Sequence, residues 1–498
     1  MFAELFIKKY LQINAIFIFR INQMKSSSIS NKINIPAFKC PVLVLGVTAL
    51  ALTVIFSLRI LDKPNPLTYA NFDEWAYAMP GLAWAETGKF STDYFFPPGF
   101  FEDGNYFVYH PQLSAYLEAL SIKWFGFSRV GIRIPSLLLY GLASILLFYL
   151  WKKVSNSKFQ GIVIAGLFFG SPWIQSAATT ARPEMLSCFL VFLSCALIVM
   201  VRFHPTLSML LGGSIAGVAL YNHPVFAGAA CLPFLIGLRM QEIQLSDFSK
   251  VFRSALTYAG GVLLGIVFLV CLILVPHWNE WQEQFLGAVS TPYFHSKESI
   301  SVLGSLASLK ARFSTFGFSY SLWYFLVIFS FLIFFRFNVL FIIGIIWICV
   351  WMLVVHLQTQ PVMVYCTQFS VGVVIVALLA GSSRFVFAER KLTKALLGVF
   401  TFAVIVIHSF NVTSPTDGSL ELAKAEAKAL KYLADVKKPS VITGDTLLPM
   451  AVALAGHRYY YTGKTPYGIV GDERYQKLLA EIVKFKVQSD GTIRPINQ

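Results

Sequence analysis

The segment "IRIPSLLLYGLASILLFYLW" (132–151) is the clearest indication of the fold class of this chain. It is apolar apart from Arg133 near its start, and Lys152 and Lys153 follow its end directly. A helix of about 20 apolar residues crosses the hydrocarbon core of a bilayer. Similar runs recur along the 498 residues, of which 56% are hydrophobic and only 13% are charged. The sequence therefore predicts an all-α polytopic membrane protein.

The apolar runs predict about 11 transmembrane helices, and together they form a membrane domain over 41–410. Their predicted positions are roughly 41–61, 132–151, 159–177, 184–201, 207–221, 224–238, 255–276, 318–335, 338–356, 363–380 and 395–410. The segment 110–126 is apolar on one side only, and we expect it to lie along the outer interface.

Lysine and arginine in the connections predict the orientation. They are concentrated in the N-terminal arm 1–40 and in the connections 152–158, 239–253 and 383–394. By the positive-inside rule these segments are cytoplasmic, so the chain is expected to be a multi-pass protein of the plasma (inner) membrane with a cytoplasmic N-terminus. The formal charge of +15 follows from this topology and does not indicate nucleic-acid binding.

On the outer face the alternation leaves a long loop, 62–131, and a second one, 277–317. The first holds eight acids against four bases in an otherwise basic protein: Asp62, Asp73, Glu74, Glu86, Asp93, Glu102, Asp103 and Glu118 against Lys63, Lys89, Lys123 and Arg129. This reversal of charge indicates that carboxylates have a function outside. The loop 277–317 is long enough to serve as a cover for an acceptor site.

The acidic pair stands in "NFDEWAYAMPG" (71–81), and it has a purely structural explanation. Asn71 can cap a helix, and Glu74 then takes the third helical position, as in a capping box. The Asp73 carboxylate would be stabilised by the positive N-terminal end of the dipole of the same helix. Since neighbouring helical residues diverge by about 100°, one carboxylate can also stabilise the turn while the other faces a cavity.

The arrangement around this pair resembles a known family, the GT-C glycosyltransferases that use polyprenyl-phosphate sugars. Protein O-mannosyltransferases and the lipid A aminoarabinose transferase belong to this class. The resemblance covers about 71–141 and rests on Asp73–Glu74 after the first span, "HPQL" (110–113) and "RIPS" (133–136), with support from "ARPEML" (181–186) and "NHP" (222–224). Gln112 departs from the proline that the family has at this position.

The resemblance implies a reaction in which a sugar leaves a lipid phosphate with inversion and joins an acceptor. Asp73 would be the general base and Glu74 its partner or helix brace. The donor phosphate would be bound by Arg133, with His110 and Arg182 as further candidates. Each has a structural alternative: for Arg133 a side chain that extends to the interface, for His110 the fixing of a turn, and for Arg182 an ion pair with Glu184.

Further candidates for substrate contact are Trp75, Tyr77, Glu184, His223 and His356. The two aromatic residues could stack on a sugar, although an interfacial aromatic belt has the same composition. His223 and His356 are more often structural. No sequence motif for a tightly bound metal or another cofactor is present, while a loosely bound divalent cation would suit the phosphate chemistry.

The tail 411–498 differs in character from the membrane part. "SLELAKAEAKALKYLADV" (419–436) has a helical pattern, and the apolar segments that follow predict strand, helix and strand. We expect a small extracytoplasmic α/β domain that binds the acceptor or closes over the membrane part.

The sequence thus favours a glycosyltransferase of the extracytoplasmic side, with a polyprenyl-phosphate-linked sugar as donor and a lipid, glycan or protein as acceptor. One alternative is a transporter or flippase of lipid-linked sugars, and another is a polymerase or ligase of surface polysaccharide, which is expected to lack the Asp-Glu pair after the first span. A coupled transporter is expected to carry ionisable residues inside its spans, whereas here the carboxylates lie in one outer loop.

Overall fold

A computed structural model describes the chain from residue 58 onward with gaps, and all described residues belong to the compact unit Val42–Gln498. The described ranges are 58, 61–64, 69–96, 100–101, 105–108, 112–154, 158–201, 204–289, 323, 326–328, 330–331, 335–336, 338–358, 362–382, 403, 417–436, 440–444, 448–460 and 473–496. The N-terminal arm lies outside them, as do most of the predicted spans 41–61, 318–335 and 395–410.

The part of the chain where the sequence predicts membrane spans is mainly helical. Its helices are α1 (Tyr69–Thr87), α2 (Gln112–Phe125), α3 (Arg129–Val154), α4 (Lys158–Phe169), α5 (Pro172–Ala178), α6 (Glu184–Met200), α7 (Pro205–Asn222), α8 (Ala227–Ala230), α9 (Leu232–Met240), α10 (Phe248–Leu269), α11 (Trp278–Val289), α12 (Val339–Gln358) and α13 (Val362–Leu379). A π-helical turn, Val270–Leu274, and a 3-10 turn, Val275–His277, join α10 to α11. Two short strands, β1 (Phe335–Arg336) and β2 (Gly381–Ser382), pair antiparallel.

Two of the described helical segments are long and apolar enough to cross a membrane, Arg129–Val154 and Phe248–Phe285. Shorter apolar helices cover Glu184–Met200, Pro224–Met240, Val339–Trp351 and Thr367–Leu379. The helices lie where the sequence predicts spans, but the number of membrane crossings stays a prediction.

The predicted span 159–177 is broken in the structure. Helix α4 ends at Phe169, and α5 begins at Pro172 after a turn. The Ser171 side chain accepts a hydrogen bond from the backbone N–H of Ile174, which caps α5, and a proline at the first helical position suits a new start. Local capping chemistry thus interrupts an apolar run that hydropathy reads as continuous.

Helices α7 and α10 are packed in close contact through glycines on both helices. A Cβ at Gly213 would lie 2.2 Å from the Tyr258 carbonyl oxygen, and one at Gly261 would lie 2.3 Å from that of Leu210. The absence of side chains therefore lets the two backbones touch, as small residues do between membrane helices.

The C-terminal part contains helices and strands; its first four elements lie where the sequence predicts helix, strand, helix and strand, and three further elements follow that were not predicted. In chain order the elements are α14 (Asp417–Leu433), β3 (Val441–Gly444), α15 (Pro449–Leu454), β4 (Arg458–Tyr459), α16 (Glu473–Ile482), β5 (Phe485–Val487) and β6 (Ile493–Pro495). The strand order is β4-β3-β5-β6; β3 is parallel to both neighbours, and β6 is antiparallel to β5. Its extracytoplasmic location stays a prediction.

The sheet and its helices share a hydrophobic core with α1 and the aromatic segment that follows α1. Trp75 of α1 packs edge-on against Tyr459 of β4, with ring centroids 5.4 Å apart. The Tyr460 hydroxyl donates to the Asp93 carbonyl oxygen at 3.0 Å. The C-terminal part therefore contacts directly the helix that carries the acidic pair.

Helix α1 itself corrects the capping-box explanation. It begins at Tyr69, so Asn71 is the third helical residue and not the cap, and Asp73 and Glu74 lie in its second turn. A capping box would need the helix to begin just after Asn71. The two carboxylates are therefore held by other parts of the protein.

Candidate functional site

The adjacent carboxylates of α1 differ in exposure. The Glu74 side chain is fully buried, whereas 40% of the Asp73 side chain is exposed. Their side chains diverge because neighbouring residues project about 100° apart around a helix. Asp73 is thus open to a reacting molecule, and Glu74 is not.

Glu74 is held by an arginine of α3. Arg133 donates from Nε to Glu74 Oε1 at 2.5 Å and from Nη2 to Oε2 at 2.6 Å, which is a bidentate pair. The same oxygen Oε1 accepts from the Ala181 N–H at 3.2 Å. Arg133 also donates to the Lys63 carbonyl oxygen at 2.7 Å. Glu74 therefore ties α1 to α3 and to the turn before α6.

This geometry does not support the prediction that Arg133 meets a lipid phosphate. Its side chain has 0% exposure, and its donors are directed to Glu74 and to backbone carbonyls. The alternative, a side chain extending to the interface, is equally inconsistent with this burial. Arg133 stabilises the packing of α3 against α1 and offers no surface to a ligand.

Asp73 contacts a different arginine. Arg182 donates from Nη1 to Asp73 Oδ2 at 2.6 Å and from Nε to Glu184 Oε1 at 2.8 Å. The Arg182 guanidinium also lies 5.8 Å from the centre of the Tyr77 ring. The predicted Arg182–Glu184 ion pair is therefore present, but it forms part of a longer chain that ends at the exposed carboxylate.

His223 stands beside Glu184 at the end of this chain. It caps the C-terminus of α7, and only 8% of it is exposed. Among the described residues, neither His223 Nδ1 nor Glu184 Oε2 has a hydrogen-bond partner. A buried polar atom without a partner normally costs about 1–3 kcal/mol, and here two such atoms belong to side chains that interact with each other. They mark a place where a hydroxyl group could be bound.

The electrostatic surroundings raise the pKa of Asp73. The largest cause is desolvation of a carboxyl group that is exposed on one side and surrounded by protein on the others; the Arg182 charge lowers the pKa, and the nearby Glu184 charge raises it again. A carboxylate whose pKa lies above its ordinary value is a better proton acceptor, and such shifts are frequent at catalytic sites.

The remaining predicted site residues differ in burial and in distance from Asp73. Trp75 is buried against Phe95 and Tyr459, so the prediction that it contacts a substrate is not supported by its position. Tyr77 is half-buried next to Arg182. His110 lies outside the described residues, and for His356 only the backbone, within α12, is described.

Sequence reasoning missed an ion pair between α3 and the C-terminal part. Arg129 donates from Nη1 to Glu426 Oε2 at 2.7 Å and from Nη2 to Oε1, and both side chains are buried. A signal existed in the sequence. Glu426 occupies the same face of α14 as the buried residues Leu422, Ala429 and Leu433, and a charge on a buried face requires a partner.

A second missed feature involves α11. Gln284 accepts from the Val108 N–H at 2.9 Å and donates to the Tyr106 carbonyl oxygen at 2.6 Å. His277 stacks on the Tyr106 ring at 3.7 Å. These contacts fix the backbone just before the "HPQL" segment, and no local pattern predicts them.

Glu118 of α2 is a third buried acid near the pair. Only 3% of it is exposed, and its Oε2 has no hydrogen-bond partner among the described residues. Burial, and secondly the charge of Glu74, raise its pKa well above the ordinary range. Within the part of the chain that the structure describes, no group of three or more His, Cys, Asp or Glu residues is placed to hold a metal ion.

Comparison with known proteins finds no matching family model and no matching curated protein. Among solved structures, the chain is similar to ArnT from Cupriavidus metallidurans bound to undecaprenyl phosphate, at 12% identity, a TM-score of 0.56 and coverage of 87% of this chain and 88% of that one. The apo state of the same enzyme matches at 14% identity, a TM-score of 0.55 and coverage of 89% and 88%.

A weaker likeness is to the oligosaccharyltransferase AglB from Archaeoglobus fulgidus in complex with an inhibitory peptide and a dolichol-phosphate. It has 10% identity, a TM-score of 0.44 and coverage of 89% of this chain and 69% of that one. The two ArnT structures confirm the resemblance to the GT-C class at the level of the fold: this chain has the fold of ArnT over most of its length.

Proposed function

We propose that this protein is a membrane glycosyltransferase that moves a sugar from a polyprenyl-phosphate donor to an extracytoplasmic acceptor. The observation that carries the proposal is the half-exposed Asp73 carboxylate, held at 2.6 Å by Arg182 beside a fully buried neighbour. Its support is the fold shared with ArnT, which was solved with undecaprenyl phosphate bound.

The exposed surfaces of two helices support a membrane location. Leu138, Leu142 and Ile145 form an exposed apolar stripe on α3, with exposures of 63%, 48% and 65%. Helix α10 exposes Leu256, Leu263 and Phe268 in the same manner. Such surfaces are unfavourable in water and suit lipid.

In the proposed reaction Asp73 accepts the proton of the acceptor hydroxyl or amine. The acceptor atom attacks the anomeric carbon from the side opposite the phosphate, so that a new bond forms as the carbon–phosphate oxygen bond breaks. The configuration inverts, the lipid phosphate leaves with the bonding electron pair, and the proton stays on Asp73. Glu74 holds α1 and does not touch the substrate.

The remaining roles follow from position. Arg182 carries a positive charge next to Asp73, and together with His110 it is the proposed contact of the departing phosphate. Glu184, His223 and Tyr77 surround the inner end of the site and are proposed to bind sugar or acceptor hydroxyls. A divalent cation, if one takes part, would be loosely held by the phosphate itself.

The test is sugar transfer by purified protein in lipid, with a panel of polyprenyl-phosphate sugars and mixed cell-envelope acceptors. Asp73→Asn should lower kcat by about 10²- to 10⁴-fold, because a general base contributes this much. Glu86→Gln changes an exposed acid on the same helix and should transfer like the wild type. If Asp73→Asn transfers as fast as the wild type, the proposal fails, and the flippase alternative becomes the better explanation.

The pH dependence gives a second test. Only the unprotonated form of Asp73 can accept a proton, so the rate should rise with pH through its pKa. Because burial raises that pKa, the acidic limb should lie above the ordinary value of 3.8. A rate that stays level down to pH values near 3.8 would contradict the assignment.

A further inference from the structure

We propose that Glu426, on helix α14 of the C-terminal part, is a positioning residue of the catalytic centre. It would act through Arg129 on Glu74, the neighbour of Asp73. The inference rests on the proposed function, and it concerns the only described contact by which a charge of the C-terminal part pairs with a charge next to the acidic pair.

The geometry forms a chain of alternating charges. Glu426 binds Arg129 in a bidentate pair, and Arg129 Nε lies 3.9 Å from Glu74 Oε2. Glu74 in turn binds Arg133 through both oxygens. All four side chains are at most 5% exposed. Two acids and two arginines therefore balance one another in a buried site.

The balance determines which arginine controls Glu74. Both guanidinium groups lie near Glu74 Oε2, but Arg133 Nη2 binds it at 2.6 Å while Arg129 stays at 3.9 Å. Arg129 Nε has no hydrogen-bond partner among the described residues. The Glu426 carboxylate holds Arg129 back from Glu74. Without that charge, Arg129 would be free to compete with Arg133 for Oε2.

Competition at Glu74 would be transmitted to the reacting carboxylate. Glu74 anchors the helical turn that also carries Asp73 to α3, through its two bonds with Arg133. Exchange of that partner would therefore change where this turn of α1, and Asp73 with it, is held. Misplacement of a catalytic group by about 1 Å can cost about 10²-fold in rate. Donor binding does not depend on this pair directly, so the affinity for the donor should change little.

The experiment measures kcat and KM for sugar transfer, per donor-binding site, in wild type, Asp73→Asn, Glu426→Gln and Glu426→Asp. Glu426→Gln removes the charge with almost no change of shape and should lower kcat about 10- to 100-fold with an unchanged donor KM. Glu426→Asp keeps the charge and should recover part of the loss. The control is Lys428→Met, also on α14. It breaks an exposed ion pair with Asp490 and should leave kcat unchanged.

A double variant tests the route through Arg129. Because Glu426 acts by restraining that side chain, adding Glu426→Gln to Arg129→Met should cause no further loss of kcat. If Glu426→Gln fails to fold, Glu426→Met removes the same charge with an apolar side chain of similar length and decides: a lowered kcat at constant KM supports the inference, and a wild-type kcat overturns it.

The outcomes separate this inference from the function on which it rests. Absence of transfer by the wild type with every donor would refute the proposed function, whatever Glu426 does. Transfer by the wild type, loss in Asp73→Asn and a wild-type kcat in Glu426→Gln would overturn the positioning role alone. A lower melting temperature with an unchanged kcat per site would likewise show a purely structural ion pair.

Discussion

The helix pair α7–α10 and the region around α1 are held together in different ways. The first relies on shape, since glycines let the backbones of α7 and α10 touch. The second adds charge to a shared hydrophobic core, since buried carboxylates and arginines also join α1, α3 and α14. In lipid, helices gain no hydrophobic energy by packing and must fit closely. Where a reaction requires carboxylates, each buried charge needs a partner.

The largest expected effect is on the charged side of this comparison. Arg133→Met leaves the buried Glu74 carboxylate without its bidentate partner, which should cost about 3–5 kcal/mol of stability. Thermal unfolding in detergent measures the loss as a lower melting temperature. Lys250→Met, which breaks an exposed pair with Asp247, is the control and should not change the melting temperature.

The same region offers a sharper version of that test. The double variant Glu74→Leu with Arg133→Met removes both charges, so no unpaired charge is left. It should recover much of the stability, because the attraction within a buried ion pair roughly offsets the cost of removing the two charges from water. Equal instability of the single and double variants would mean that Arg133 acts by its packing and not by its charge.

The next largest effect on stability is expected at the glycine contact between α7 and α10. Helix α10 also supplies a matched control. Gly261→Ala places a Cβ 2.3 Å from the Leu210 carbonyl oxygen, whereas Gly260→Ala meets nothing within 4 Å. The first should destabilise by about 1–3 kcal/mol, as overpacking does. The second should be neutral or slightly stabilising, since alanine is the better helix former. Equal melting temperatures of the two variants would refute the close contact of α7 and α10.

The smallest effect concerns Glu118, the buried acid that has no pairing cation among its described contacts. Its pKa in the folded protein is raised, so the folded state binds a proton more tightly than the unfolded state does. This contribution is fully favourable below the ordinary pKa of about 4.5 and is lost as pH rises. Glu118→Gln should therefore raise stability at neutral pH by about 1 kcal/mol. The melting temperatures of the wild type and the Glu118→Gln variant should converge as pH falls, because Glu118 is then protonated.

Much of the architecture could be predicted from local pattern. The apolar run 132–151 lies within α3, and the strand–helix–strand pattern of the tail appears as β3, α15 and β4. Hydropathy and periodicity are properties of consecutive residues, so they can be read without knowledge of distant partners. The break between α4 and α5 was missed because capping by Ser171 outweighs the continuity of the apolar run.

The candidate site was only partly predictable, and Arg133 shows why. Its place at the start of a span is compatible with binding a phosphate, with extending to the interface and with a buried pair. The sequence cannot choose among them, because the choice depends on which acid of α1 faces α3. Glu426 illustrates the same limit, since its partner Arg129 lies 297 residues away along the chain.

Residue type and spacing were enough to predict apolar helices, a segment 62–131 rich in carboxylates and a tail of mixed helix and strand. Folding was needed to seal Glu74 with Arg133, to leave Asp73 open beside Arg182, and to bring Glu426 of the tail close to the acidic pair. The physical reason is that burial and charge pairing are properties of distant segments brought together, and a chain read residue by residue does not contain those distances.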